Sequence, residues 1–106
     1  MLVVNRFNVP LEAGSDFREQ LQTALDALAD RPGFLQGTIG RNLDDPTLWV
    51  LTTQWQHVGA YRRALSSYEV KLRAVPILSR AVDEPSAYEV VEPGTTLNEA
   101  SARSLG

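Results

Sequence analysis

Hydrophobic and polar positions divide the chain into stretches of period two and stretches of helical period. Leu48 to Trp55 is the clearest strand, a run of aliphatic, aromatic and β-branched residues bounded by Asp44-Asp45-Pro46 and His57-Val58-Gly59. Alternation puts Trp49, Leu51, Thr53 and Trp55 on one face and Leu48, Val50, Thr52 and Gln54 on the other. Neither face is strongly polar, so the pattern predicts burial on both sides, with helices over one face and a second copy of the chain over the other. Leu2 to Val9 reads as an earlier strand ended by Pro10, with Val3, Asn5, Phe7 and Val9 sharing a face. Asn5 is an amide on an otherwise apolar face, so it needs hydrogen-bond partners or a polar cavity.

Between these strands, Phe17, Leu21, Ala24, Leu25 and Leu28 recur at helical spacing. Gly14-Ser15-Asp16 opens that helix with Ser15 as the expected N-cap, and Pro32-Gly33 ends it by about Arg31. Phe34 to Arg41 is a second strand. Its Gly37 and Gly40 predict a bend, an edge position or a close neighbour, and Asn42-Leu43-Asp44-Asp45-Pro46 turns it back as an antiparallel hairpin. Tyr61, Leu65, Tyr68 and Leu72 then form a helical stripe with a break expected near Ser66-Ser67, before Pro76 interrupts it. Ala87 to Val91 is the last expected strand. Thr95 to Gly106 is small and polar, the composition of a tail that orders only against a held surface.

Strand, helix, strand, strand, helix, strand is an α+β order. It predicts a ferredoxin-like split βαβ domain over residues 1–92, a four-stranded antiparallel sheet with both helices on one face, and a tail over 93–106. The uncovered face predicts a homodimer.

Composition narrows the function. The chain has 106 residues, 43% hydrophobic and 22% charged, which suits one globular domain. No apolar run reaches membrane-spanning length and no leader pattern opens the sequence, so a cytoplasmic protein without membrane partners is expected. The net charge of −3 argues against nucleic acid as a partner. With no cysteine and one histidine, His57, the chain offers no thiolate nucleophile and no metal site of its own. Charge is unevenly placed, however: Arg62, Arg63, Lys71, Arg73 and Arg80 face only Glu69 within that segment, which makes either a solvated helix face or a mouth for an anionic small ligand.

The opening Val3-Val4-Asn5-Arg6-Phe7-Asn8-Val9-Pro10, the Arg31-Pro32-Gly33-Phe34 turn, and Trp55 ahead of the Ala60-Tyr61 helix resemble the antibiotic biosynthesis monooxygenase domain over roughly Leu2 to Val91. The resemblance implies a dimeric α/β barrel, in which two sheets pack face to face and each subunit holds a ligand cavity between the sheet and its second helical region. It also implies cofactor-free oxygenation of phenolic polyketides, or haem degradation in another branch of the fold. An Asn on the first strand commonly faces the cavity in such proteins, the place Asn5 occupies. Histidines of the family would fall on Ala64 to Ser66 and near Glu69 to Arg73, where this chain has none.

A cofactor-free oxygenase must bind an electron-rich phenol, stabilise its anion and hold it beside dioxygen in an apolar cavity with few polar groups. Asn5 is the candidate catalytic donor. Trp49, Trp55, Tyr61 and Tyr68 are candidate walls for a small aromatic substrate, and Arg73 or Lys71 candidate partners for its negative charge. These side chains are expected to converge on one cavity spanning Asn5, Tyr61 and Arg73. His57 is a loop histidine that reads as a surface residue or a base. A non-catalytic dimeric module binding a small ligand is the alternative, and a haem-binding protein a further one.

Overall fold

The computed structural model describes residues 1–97. Strands β1 (Leu2–Asn8), β2 (Phe34–Arg41), β3 (Leu48–Trp55) and β4 (Ala87–Tyr88) form one sheet in the order β2-β3-β1-β4. Every pairing is antiparallel. Helix α1 (Gly14–Ala29) crosses between β1 and β2, while α2 (Val58–Ser66), α3 (Tyr68–Arg73) and α4 (Val75–Leu78) form the second crossover. This is the expected α+β sheet with its helices packed on one face. That part of the tail expectation falling on residues 98–106 lies outside the described residues.

The pleat decides which face is which. Val3 and Phe7 of β1 and Trp49, Leu51, Thr53 and Trp55 of β3 are buried beneath the helices, with Phe17, Leu21, Ala24 and Leu28 of α1 completing the core. Pairings Val3↔Thr53, Asn5↔Leu51 and Phe7↔Trp49 align these side chains across the two strands. In the single chain Leu48, Val50, Thr52 and Gln54 are only half-buried, because all the helices lie on the opposite face.

The edge position and bend expected of β2 are both present, the bend as a register shift between Phe34 and Gln36. Gly37 shows why glycine stands there. A Cβ at that position would lie 2.4 Å from Leu25 Cδ1, so α1 rests directly on the strand backbone. The hairpin turn to β3 is closed by Asn42 Oδ1, which accepts from the amides of Asp44 and Asp45, both at 2.8 Å.

Three local expectations change. Ser15 does not cap α1: a turn of 3-10 helix over Leu11–Ala13 leads straight into it, Ala13 takes the N-cap position, and no side chain caps the end. The last strand stops at Tyr88 rather than Val91. Tyr88 already pairs with Leu2, the first residue of β1, so an antiparallel continuation has no strand beside it. The stripe through Tyr61, Leu65, Tyr68 and Leu72 is broken in phase, since Ser67 is extended (φ −73°, ψ 149°) at the expected break. Its hydroxyl donates to Ala64 O at 2.7 Å and receives Val70 N at 3.4 Å, ending one helix and starting the next. The change of direction leaves Tyr68 and Leu72 75% and 60% exposed, while Ala60, Ala64, Val70, Ala74 and Ile77 face the core.

Candidate active site

Asn5 sits in the middle of β1, on the core-side face between buried Val3 and Phe7, yet it is only half-buried. β4 is too short to cover it. Just before β4 the chain runs along the edge of β1, held by Val4 N donating to Ser86 O and Val82 N donating to Arg6 O, both at 2.7 Å. Between these clamps a cavity of about 330 Å³ opens, lined by Asn5 and Val4 of β1 and by Leu78, Ser79, Ala81, Val82, Asp83, Glu84 and Ser86. Among the described residues the Asn5 amide makes no hydrogen bond, so both its donors and its acceptor remain for a ligand. Two acidic residues, Asp83 and Glu84, are part of the cavity lining. Glu84 is engaged by Arg6, Nη1 to Oε1 at 3.4 Å, whereas Asp83 has no ion-pair partner among the described residues. Nothing in the pattern along the chain selects Asp83, which lies in an Asp83-Glu84-Pro85 turn. Its one available signal was that a turn following the second crossover must return along the edge of β1.

The other predicted side chains do not converge there. Trp55 is fully buried, with Phe34 edge-on at 5.3 Å and Tyr61 at 5.5 Å, and its indole N–H donates to Thr53 Oγ1 at 2.9 Å. Burial pushes the Tyr61 phenol above its ordinary value. Trp49 packs edge-on to Phe17 at 5.4 Å and lies beneath Arg41, whose guanidinium carbon is 5.5 Å from the ring centroid. Tyr68 is on the surface, and Arg73 lines a different cavity between α1 and the α3–α4 turn. The single cavity expected across Asn5, Tyr61 and Arg73 is thus replaced by separate spaces, with Trp55, Tyr61, Ala60 and Ala64 of α2, and Ala74 between α3 and α4 packed in or against the core.

His57 has a defined structural task. Its Nδ1 accepts from Ala60 N at 3.1 Å and caps α2, a role chosen by its place one residue before the helix. The turn before β2 meets the same helix end. Gly33 has φ +89°, a Cβ there would fall 2.4 Å from the Ala60 Cβ, and Gly33 O accepts from Gln56 N at 2.8 Å. The Arg31-Pro32-Gly33-Phe34 turn and the Ala60-Tyr61 helix start are therefore two sides of one contact.

This arrangement agrees with an independent comparison: the family model for antibiotic biosynthesis monooxygenases matches residues 1–72. The chain belongs to this family. Among solved structures it is similar to SnoaB, a cofactor-independent oxygenase from Streptomyces nogalater, with 26% identity, a TM-score of 0.72, and 92% of this chain and 96% of that one covered. A candidate antibiotic biosynthesis monooxygenase from Deinococcus radiodurans shares the fold at 20% identity and a TM-score of 0.70, over 92% of this chain and 100% of that one. A conserved protein from Methanosarcina mazei does so at 19% and 0.66, over 81% and 84% of the two chains. The comparison with curated proteins finds no match. Among the described residues of this family member no helix is long and apolar enough to cross a membrane.

Proposed function

We propose that this member of the family is a cofactor-independent monooxygenase of small phenolic, polyketide-like substrates, working at the Asn5 cavity. The observation that carries the reading is the Asn5 amide, without a hydrogen-bond partner among the described residues, in the lining of a cavity that Asp83 also lines. A carboxylate beside a phenol accepts its proton, and an amide N–H₂ fixed on a strand stabilises the oxyanion that forms. The ring carbanion then supplies the electrons to dioxygen. For a methylene flanked by phenolic rings, the carbon–hydroperoxide that results loses water and leaves a carbonyl, so one dioxygen yields one quinone oxygen and one water. Trp49, Trp55 and Tyr61 contribute as the packed aromatic layer that keeps β1 and β3 in register. Oxygen consumption with hydroxyanthrone- and naphthol-type phenols tests this. Uptake abolished by Asn5→Ala supports the reading, and no uptake across the panel refutes it in favour of a non-catalytic binding module. Haem binding fits poorly: it needs an axial ligand, the crossover helices carry no histidine, and the Nδ1 of His57 is engaged as a cap.

The functional unit in this reading is a dimer. Leu2, Val4, Leu48, Val50 and Thr52 form a half-exposed patch on the helix-free face of the sheet, and none of the first four joins the core cluster. The one charge on β1, Arg6, is held aside by Glu84. Such a patch is self-complementary, and two sheets packed through it make the dimeric barrel.

A further inference from the structure

The groove between α1 and the α3–α4 turn is not absorbed by the Asn5 site. It encloses about 540 Å³ and is lined by Gln20 and Thr23 of α1 and by Leu72, Arg73, Pro76, Ile77 and Arg80. That volume lies within the range of small-molecule sites. Its floor and one wall are apolar: Ile77 is 5% exposed and belongs to the core, while Leu72 remains open at the rim. The charged lining is one-sided, with two arginines and no acidic residue. Arg80 is already positioned. Its guanidinium carbon lies 5.4 Å from the Phe17 ring centroid and its Nη1 donates to Gln20 Oε1 at 3.4 Å. Among the described residues neither Arg73 nor Arg80 has a carboxylate within ion-pair distance, although the chain as a whole carries net charge −3. The Thr23 hydroxyl turns back to Glu19 O at 3.1 Å, so the two arginines and Gln20 remain the groups that read a ligand.

We propose that this groove is a second ligand site, for a small amphipathic carboxylate whose aromatic or alkyl body lies on Leu72, Pro76 and Ile77 and whose anionic head is held by Arg73 and Arg80. A planar guanidinium matches a carboxylate with two parallel N–H···O bonds, and one held in advance by a ring and an amide loses less freedom on binding. The apolar floor then distinguishes a carboxylate with a hydrophobic body from a bare anion. The site is distinct from the Asn5 cavity and stands whether or not that cavity is catalytic: residues 76, 77 and 80 face the groove, whereas 78, 79, 81 and 82 face the cavity.

Titration of the full chain with 2-naphthoate, followed by calorimetry and by amide chemical shifts, tests the proposal. Saturable binding is expected to move the amides of residues 20–23 and 72–80. Loss of each guanidinium, in Arg73→Gln and Arg80→Gln, is expected to weaken binding about tenfold. Leu72→Glu, at an exposed helix position that folding tolerates, places a carboxylate on the apolar rim and is expected to abolish binding. The neutral 2-naphthalenemethanol and inorganic phosphate should each bind at least about tenfold more weakly, and added salt should weaken the naphthoate. Affinity unchanged in the double arginine variant, equal binding of the neutral analogue or of phosphate, no saturation at millimolar naphthoate, or binding that is abolished only by Asn5→Ala would each overturn it.

Discussion

Replacing Gly33 by Ala tests the contact that joins the turn before β2 to the start of α2. Three effects combine. An L-residue at φ +89° is strained by about 1–2 kcal/mol. The new methyl would lie 2.4 Å from the Ala60 Cβ, against an ordinary carbon contact of about 3.5–4.0 Å, so turn and helix must separate by more than an ångström. Overpacking of that kind costs about 1–3 kcal/mol. The stiffer unfolded chain returns about 0.4–1 kcal/mol. The net expectation is a destabilisation of about 2–4 kcal/mol, a large part of the roughly 5–15 kcal/mol available to a domain. Urea unfolding followed by tryptophan fluorescence measures it, since Trp55 borders the contact. Ala60→Gly removes the opposing methyl at a helix cost of about 1 kcal/mol. In the double variant the clash disappears and the φ strain remains, so the cycle should show a coupling of about 1–3 kcal/mol. A Gly33→Ala variant within about 0.5 kcal/mol of the parent, or strictly additive variants, would refute the contact as the reason for glycine there.

Other outcomes follow from single side chains. Asn5→Ala should lower the rate of oxygen uptake about 10²–10³-fold with little change in stability, as loss of one oxyanion donor does; equal losses of rate and stability would make Asn5 structural instead. His57→Ala should destabilise by about 1 kcal/mol through loss of the α2 cap, measured by urea midpoint, and His57→Asn should recover most of it. Tyr61 holds its proton more tightly folded than unfolded, so its contribution to stability is fully present below its unfolded value of 10.0 and is lost as pH rises through the folded one. Tyr61→Phe should flatten that alkaline loss, and an unchanged profile from pH 9 to 12 would contradict it. In the proposed dimer, Val50→Glu on the helix-free face should give a monomer by sedimentation at micromolar concentration; a parent chain already monomeric there defeats the dimer reading.

Much of the fold was legible along the chain because it rests on local periodicity. The limits of β2 and β3, the hairpin between them, the edge position of β2 and the break at Ser67 follow from alternation, glycine placement and capping chemistry. So did the one unusual residue of β1, since an amide on an apolar face is conspicuous without coordinates. Tertiary structure decided the rest. Which face of β3 lies under the helices depends on the side to which both crossovers pass. Of the aromatic side chains expected around a substrate, Trp49, Trp55 and Tyr61 pack into or against the core while Tyr68 turns to the surface, because Trp55 meets Phe34 and Tyr61 from other elements, which no single period spans. Arg73 and Asn5 were parted by the extended turn at Ser67 and the short α4, which together set the direction of the second crossover. Asp83 came to the Asn5 cavity through backbone clamps from Val82 to Arg6 and from Val4 to Ser86. Period and turn chemistry determined the elements and singled out Asn5, while the neighbours of Asn5 were determined only by long-range packing, which a pattern along the chain does not carry.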